Sequence, residues 1–424
     1  MEIIFILLLV LIELLLATFS ILSQSNNTSK KRIIRIVALL GFFLFVLFDG
    51  ISWSFRVVLL SVLLVFNALI SFVSLLQKGQ PKKDYKANRI VLKAVGMVVL
   101  LLLTLIPTVL FPYNRVIIKT TGEYHVLTNT TDFIDATRIE GYSKSKKDRK
   151  LNVQFWYPDT NEEAFPLIVF SHGGLGVKSS NESLYNELAS HGYVVVSIDH
   201  TYHSFFTKDE NNKTTWIDFV YLQQMLSENP LKDKKQSFEF YRSWMETRMD
   251  DINFVIDTVV LKTKSHELIK PYGLIDSSKI GVMGHSLGGS AALGIGRVRE
   301  DVKAIVALES PFLYDIEGVK DDEFIVNMQD YPLPLLNVYS DSSWNILDKR
   351  PQYVFNDKLL NESNPTIFNK HISGIGHLSL TDFSLTSPLL TRFIDQIEPT
   401  IAYEEALYKI NEWCLNFFNT YLKE

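Results

Sequence analysis

Lys279–Gly289, KIGVMGHSLGG, reads as a β-strand running directly into a glycine-flanked serine. Within it Gly284-His285-Ser286-Leu287-Gly288 fits the pattern G-x-S-x-G, and Gly289 follows. The pattern describes a sharp strand-to-helix turn that strains the serine backbone and exposes its hydroxyl. Flanking glycines let such a turn approach neighbouring strands without side-chain clash. The small-residue stretch Ser290–Arg297 reads as the helix that follows, with an N-terminus that favours negative charge beside the serine oxygen. Five residues arise easily by chance; the strand before them and the helix after them supply the context. Ser286 is the candidate nucleophile.

Outward from this turn the chain alternates between strand and helix signals, the mark of an α/β protein. Leu151–Tyr157 alternates and ends at Pro158, while Phe165–Phe170 is a short apolar run entering Ser171-His172-Gly173-Gly174. Glu182–Ser190 reads as a helix before the β-branched run Tyr193–Ile198, and Met249–Leu261 has helical periodicity. Val302–Leu308 and Leu333–Tyr339 read as two further strands. Such near-continuous apolar runs suit a parallel sheet covered on both faces. Between them, roughly Ser204 to Met249 is polar but carries Trp216, Phe219, Phe238, Phe240, Tyr241 and Trp244. Two readings of this insertion stay open, a lid or substrate wall and a surface helical insertion with its own small core.

A serine nucleophile needs donors for the developing oxyanion, a base and an acid. The backbone N–H groups of Leu287 and Gly174 are the candidate donors. In a fold with this turn the base comes last in the chain, after the acid, which leaves His371 and His377. His377 opens a glycine-rich loop (GIGH), whereas His371 falls inside the expected strand Lys370–Ser373 and reads as structural. For the acid, Glu309 and Asp341 each end a strand beyond the serine, and the residues alone leave both open. His200 and His203 form an H-x-x-H pair that lacks a helix and a third ligand, so no metal and no cofactor is expected.

The first quarter is different in kind. Ile3–Leu22, Ile36–Trp53, Val57–Leu76 and Ala94–Phe111 are apolar stretches near the ~20 residues a spanning helix needs. They define a four-helix membrane region over residues 1–112, ahead of a domain over 113–424. Lys30, Lys31, Arg32 and Arg35 lie between the first two stretches, and Lys78, Lys82, Lys83, Lys86, Arg89 and Lys93 between the last two. Cytoplasmic loops carry the excess of Lys and Arg, so the N-terminus and everything past Phe111 are expected outside a cell membrane. The first stretch lacks the basic leader of a cleaved signal peptide. Glu13 lies within it with no ionisable partner in sight, and is expected protonated or hydrogen-bonded inside the bundle. A net charge of −5 gives no reason to expect nucleic-acid binding, and the single Cys414 excludes an intramolecular disulfide. Near the chain end that thiol reads as a small buried hydrophobe.

These residues resemble, in order over roughly Thr121 to Leu390, the platelet-activating-factor acetylhydrolase family and its bacterial carboxylesterase relatives, which are α/β-hydrolases. Thr121–Tyr124 (TGEY) and Val153–Pro158 (VQFWYP) look like entry strands, Phe170–Gly174 (FSHGG) like the oxyanion segment, and Asp199-His200 like an acidic-His pair. Arg248–Asp257 (RMDDINFVID) is similar to the helix leading toward the nucleophile, Ile280–Gly289 (IGVMGHSLGG) to its elbow, and Ile372–Phe383 (ISGIGHLSLTDF) to the histidine segment. The resemblance implies a serine hydrolase acting on short-acyl or lipid-like carboxylic esters, with membrane lipid met through the N-terminal helices. It places the acid at the earlier strand, at Glu309, where the family usually has aspartate; the membrane stretches are the second departure. Acyl transfer to an acceptor other than water, and an inert membrane assembly protein, are the rival expectations.

Overall fold

Every leucine-rich stretch of the first quarter is helical in the computed structural model, which describes residues 1–77, 84–113, 116–144, 146–162, 164–264 and 270–423. The chain divides into two compact units, Met1–Arg115 and Val116–Glu424. The first holds α1 (Glu2–Leu22), α2 (Thr28–Leu47), α3 (Phe55–Leu76) and α4 (Ala87–Leu103), with a short helix Ile106–Leu110 beyond. At one end Arg32 donates to the Ser74 carbonyl and Tyr85 to the Ile21 carbonyl. At the other, Glu2 accepts from Thr108 and Tyr113, both at 2.6 Å. The helices therefore run up and down, and the basic starts of α2 and α4 share an end. Phe5, Phe42, Leu60, Leu64 and Leu101 fill the interior, while Leu7, Leu11, Leu14, Leu59 and Phe66 face outward. An apolar exterior of this extent suits lipid rather than water.

Among the described residues, three helices are long and apolar enough to cross a membrane: Glu2–Leu22, Phe55–Leu76 and Ala87–Leu110. The expected second span differs. Its helix begins on the basic run at Thr28 and stops at Leu47, ahead of Asp49. One expectation is corrected at Glu13. Arg35 lies 3.8 Å from its carboxylate, because antiparallel packing sets the first turns of α2 beside α1, which no pattern along one helix reveals. Lys78, Lys82 and Lys83 lie outside the described residues.

The second unit is built on one sheet of eight strands: β1 (Val126–Ile139), β2 (Asp148–Pro158), β3 (Phe165–Ser171), β4 (Val194–Asp199), β5 (Ile275–His285), β6 (Val302–Leu308), β7 (Leu335–Ser340) and β8 (Ile367–Ile372). Their order is β1-β2-β4-β3-β5-β6-β7-β8, with β2 antiparallel to both neighbours and the rest parallel. β3, β4 and β7 are buried along their whole length, so both faces must be covered. Helices Lys234–Thr263 and Leu287–Val298 supply Ile252, Val255, Ala291 and Leu293 to one face. Glu182–Ser190 and Tyr403–Phe418 supply Leu184, Leu188, Ile410 and Cys414 to the other. This is the α/β-hydrolase architecture. The insertion expected over 204–249 comprises a small hairpin, the helix Phe219–Ser227 capped by Asp218, and the first half of the 30-residue helix Lys234–Thr263.

A buried ion cluster ties that long helix to β2. Arg149 forks onto Asp251 with two bonds of 2.6 Å and reaches Glu140 at 2.9 Å, while Arg138 joins Asp251 at 3.0 Å. Burial opposes the Asp251 charge, but Arg149 outweighs it and holds the carboxyl far below the usual carboxylate range. Removing one partner of such a pair leaves an uncompensated buried charge. Asp251→Asn is therefore expected to lower stability at neutral pH by about 3–5 kcal/mol. The wild-type contribution is present above the ordinary carboxylate pKa near ~4 and fades only as pH falls through the depressed folded value. Denaturant unfolding of both proteins at pH 7 and pH 3 checks this; an unchanged midpoint for the variant at pH 7 contradicts it.

Candidate active site

Ser286 joins β5 to the helix Leu287–Val298 with φ 54° and ψ −124°, a conformation that costs a non-glycine residue of order 1–3 kcal/mol. Two glycines make the turn sterically feasible. A Cβ on Gly284 would lie 2.4 Å from the Gly288 carbonyl carbon, and one on Gly288 would lie 2.0 Å from the Ser171 oxygen. The turn is anchored by Ser286 N–H, which donates to the Leu308 carbonyl at 2.8 Å. As the first residue of the helix, Leu287 has an amide with no intrahelical acceptor.

The loop after β3 packs against this turn. A Cβ on Gly173 would meet the Ser286 Cβ at 3.4 Å. The Gly173 carbonyl accepts from the Gly176 amide at 3.1 Å and from His172 Nδ1 at 2.7 Å. In a trans peptide the N–H points away from the C=O, so Gly174 N–H faces opposite to those donors. Gly174 and Leu287, the two expected oxyanion donors, thus belong to neighbouring segments at the elbow.

His377 follows β8 in a loop whose bonds include its own amide to Ser342 Oγ at 3.0 Å, the Leu378 amide to Asp395 at 2.8 Å, and His285 to the His377 carbonyl at 3.1 Å. The half-buried ring presents Nδ1 to Glu309 Oε2 at 3.1 Å, which leaves Nε2 for a hydroxyl. Glu309, only 1% exposed, also accepts from Ser340 at 2.6 Å and from Ser343. Burial pushes its carboxyl up, but His377 and the two serines outweigh this and lower it. Burial likewise pulls the His377 pKa down, and Glu309's hydrogen bond and charge reverse the sign, leaving it raised.

Of the two acid candidates, Glu309 is the one in contact with His377. Asp341 turns instead to His371 Nε2 at 2.7 Å and the Gly374 amide at 2.7 Å, and the His371 ring stacks on Trp344. Ser286, His377 and Glu309 line one cavity of about 290 Å³. The insertion supplies Met225, Glu228, Tyr241 and Trp244 to its wall, and the segment after β7 supplies Arg350, Gln352 and Tyr353. The H-x-x-H histidines take separate partners: His200 bonds Ser171 and Asp251, whereas His203 bonds Tyr142. Ser340, Ser343 and Asp395 were not singled out in the sequence, since isolated polar residues at strand ends resemble turn formers.

The comparisons agree in direction. Residues 136–424 match the family model described as platelet-activating factor acetylhydrolase, isoform II. The platelet-activating factor acetylhydrolase of Cavia porcellus is 24% identical over 61% of this chain, and the chain spans 58% of that relative's length. A 3-O-acetylpapaveroxine carboxylesterase of Papaver somniferum is 23% identical over 66% of this chain and 83% of its own. Among solved structures, a ferulic acid esterase from Streptomyces cinnamoneus superposes with a TM-score of 0.53 at 19% identity, covering 72% of this chain and 92% of that one, a likeness of fold. The family match covers well over half the sequence: the chain belongs to the platelet-activating factor acetylhydrolase, isoform II, family.

Proposed function

We propose that this chain is a membrane-anchored serine hydrolase that cleaves carboxylic esters through an acyl-enzyme on Ser286. The observation carrying this reading is the meeting of the strained Ser286 and the His377–Glu309 pair in one cavity. Ser286 Oγ adds to the ester carbonyl carbon, its proton passes to His377 Nε2, and the carbonyl electron pair moves onto oxygen beside Gly174 and Leu287. Collapse expels the alcohol, which takes the proton from His377; water then repeats the sequence on the acyl-enzyme. Glu309 holds the imidazole tautomer and stabilises the imidazolium. A cavity of about 290 Å³ suits a short acyl group or the first atoms of a lipid-like ester better than a long chain. The insertion's four wall residues favour its reading as a substrate wall.

Ser286→Ala is expected to abolish labelling by a fluorophosphonate probe and to cut ester turnover on the order of 10³-fold or more. Labelling retained in that variant sinks the assignment.

Glu309→Gln is expected to cost about 10³–10⁴-fold in kcat, and Asp341→Asn less than about tenfold. The neutral imidazole is the working base, so a raised His377 pKa sets the acid limb of kcat/KM above the ordinary ~6.5. Without the Glu309 charge, burial is opposed only by the more weakly acting Asp395 charge, and the residual activity should show its acid limb at lower pH. If Asp341→Asn is the crippling change, or the limb moves upward in Glu309→Gln, the acid has been assigned to the wrong strand.

We also propose that the second unit is extracytoplasmic. The support is the shared end of Lys30, Lys31, Arg32, Lys86 and Arg89, opposite the end from which Tyr113 leads on. This requires α2 to cross as well; its 20 residues amount to about 30 Å, with the basic first turns snorkelling to the interface. Protease added to intact cells producing the chain should digest the second unit. Protection until lysis would mean an odd number of crossings or an inverted bundle.

A further inference from the structure

Arg248 is the largest charged side chain wholly removed from solvent, and its hydrogen-bond partners are all uncharged. Its guanidinium donates to the carbonyls of His172 at 2.5 Å, Gly173 at 3.3 Å and His203 at 3.4 Å, and to Tyr221 Oη at 3.4 Å. Tyr221 Oη in turn donates to the Gly174 carbonyl at 3.0 Å. Three consecutive carbonyls of the loop beside Ser286 are thus gripped by one guanidinium and one phenol. The Tyr221 ring is itself fixed, stacked on His203 with centroids 3.8 Å apart.

Each grip fixes more than a carbonyl. In a trans peptide unit C=O and N–H point in opposite directions, so holding the His172 and Gly173 carbonyls sets the facing of the Gly173 and Gly174 amides. A carbonyl bonded to a cation also polarises its amide, which strengthens the N–H as a donor. Burial and the Arg248 charge both depress His172, His200 and His203, so these neighbours stay neutral and Arg248 is the cation at the loop. Glycines at 173 and 174 have no side chain to fix their own orientation, and the clamp supplies it from outside. Both clamp residues lie on helices that include the insertion, Phe219–Ser227 and Lys234–Thr263.

We propose that Arg248, assisted by Tyr221, is a positioning residue that sets the facing of the oxyanion-loop amides, so that its loss lowers turnover per active site rather than ester binding. This rests on the ester-hydrolase reading above. The test uses the full chain in detergent with p-nitrophenyl acetate, active sites being counted by fluorophosphonate titration. Arg248→Met should lose about 100-fold in kcat per titrated site, the scale of a missing oxyanion donor, with KM within about threefold. A trifluoromethyl ketone that forms the tetrahedral adduct should bind more weakly by a similar factor. Arg248→Lys, which can keep one carbonyl bond, and Tyr221→Phe, which loses the Gly174 bond and the Arg248–Tyr221 bond but leaves the carbonyl bonds of Arg248, should each fall about 10-fold, and they decide the matter if Arg248→Met does not fold. A purely structural role predicts fewer titratable sites with unchanged kcat per site and unchanged adduct affinity, and that result in Arg248→Lys and Tyr221→Phe overturns the proposal. Absence of turnover in the wild type, or turnover equal in Ser286→Ala, overturns the hydrolase reading itself and is distinguished by the wild-type control.

Discussion

The backbone of the serine turn runs so close to the end of β3 that neither can move alone. The Gly288 backbone approaches the Ser171 and His172 carbonyls where any side chain would collide, and the Ser286 amide is spoken for by Leu308 on the other side. A serine with positive φ persists only where its surroundings over-determine it. Here the surroundings are three adjacent strands, β3, β5 and β6, locked by their ladders. Ser286, the loop after β3 and Glu309 all emerge from those strands' C-terminal ends. The strain in one residue is therefore maintained by the sheet, and the sheet in turn fixes the relative positions of the three groups that the proposed chemistry needs together.

Much of this was legible from the sequence because strand periodicity and glycine placement are local signals. Val302–Leu308 and the helix Glu182–Ser190 coincide with their expected limits, since apolar content alone decides them. The resemblance put an entry strand at Thr121–Tyr124, but the strand is Val126–Ile139: its Asn-Thr-Thr-Asp stretch is partly or fully exposed, and only pairing with β2 makes it a strand. The choice between Glu309 and Asp341 was likewise illegible in the residues. Both lie at neighbouring strand ends, and what separates them is the direction of a side chain after a residue of positive φ at Glu309. Ser340 and Ser343 then hold Glu309 toward His377, while His371 draws Asp341 away. Arg248 was visible as part of a helix, yet nothing in a helical pattern says that a polar position faces a loop distant by 76 residues.

The insertion illustrates why a lid and a scaffold need not be alternatives. Its helices contribute wall residues to the cavity and also carry the two side chains that grip the loop beside Ser286. Asp251, one turn beyond Arg248 on the same helix, is fixed to β2 through Arg149. A displacement of that helix would be opposed at one turn by a buried ion pair and felt at the neighbouring turn by the loop beside Ser286. The cavity wall and the loop geometry are mechanically linked through a single element.

The same region contains a second chain of Ser, His and Asp, and its contrast with the first explains what makes such a constellation chemically useful. Ser171 bonds His200 Nε2 at 2.8 Å and His200 Nδ1 bonds Asp251 at 2.9 Å, the connectivity of a hydrolytic triad. All three are fully buried. Burial drives the His200 pKa down to about 4, with the Arg248 charge acting in the same direction and Asp251 only partly opposing them. An imidazole that resists protonation is a poor acceptor for a serine proton, and Asp251 is already shared between two arginines. His377 has the opposite balance: Glu309 faces it without a competing cation bridge, its pKa rises, and its ring opens on the cavity. A serine, a histidine and a carboxylate thus form a structural strut in one place and hold a candidate base in the other, and the sign of the local charge together with access to the cavity makes the difference.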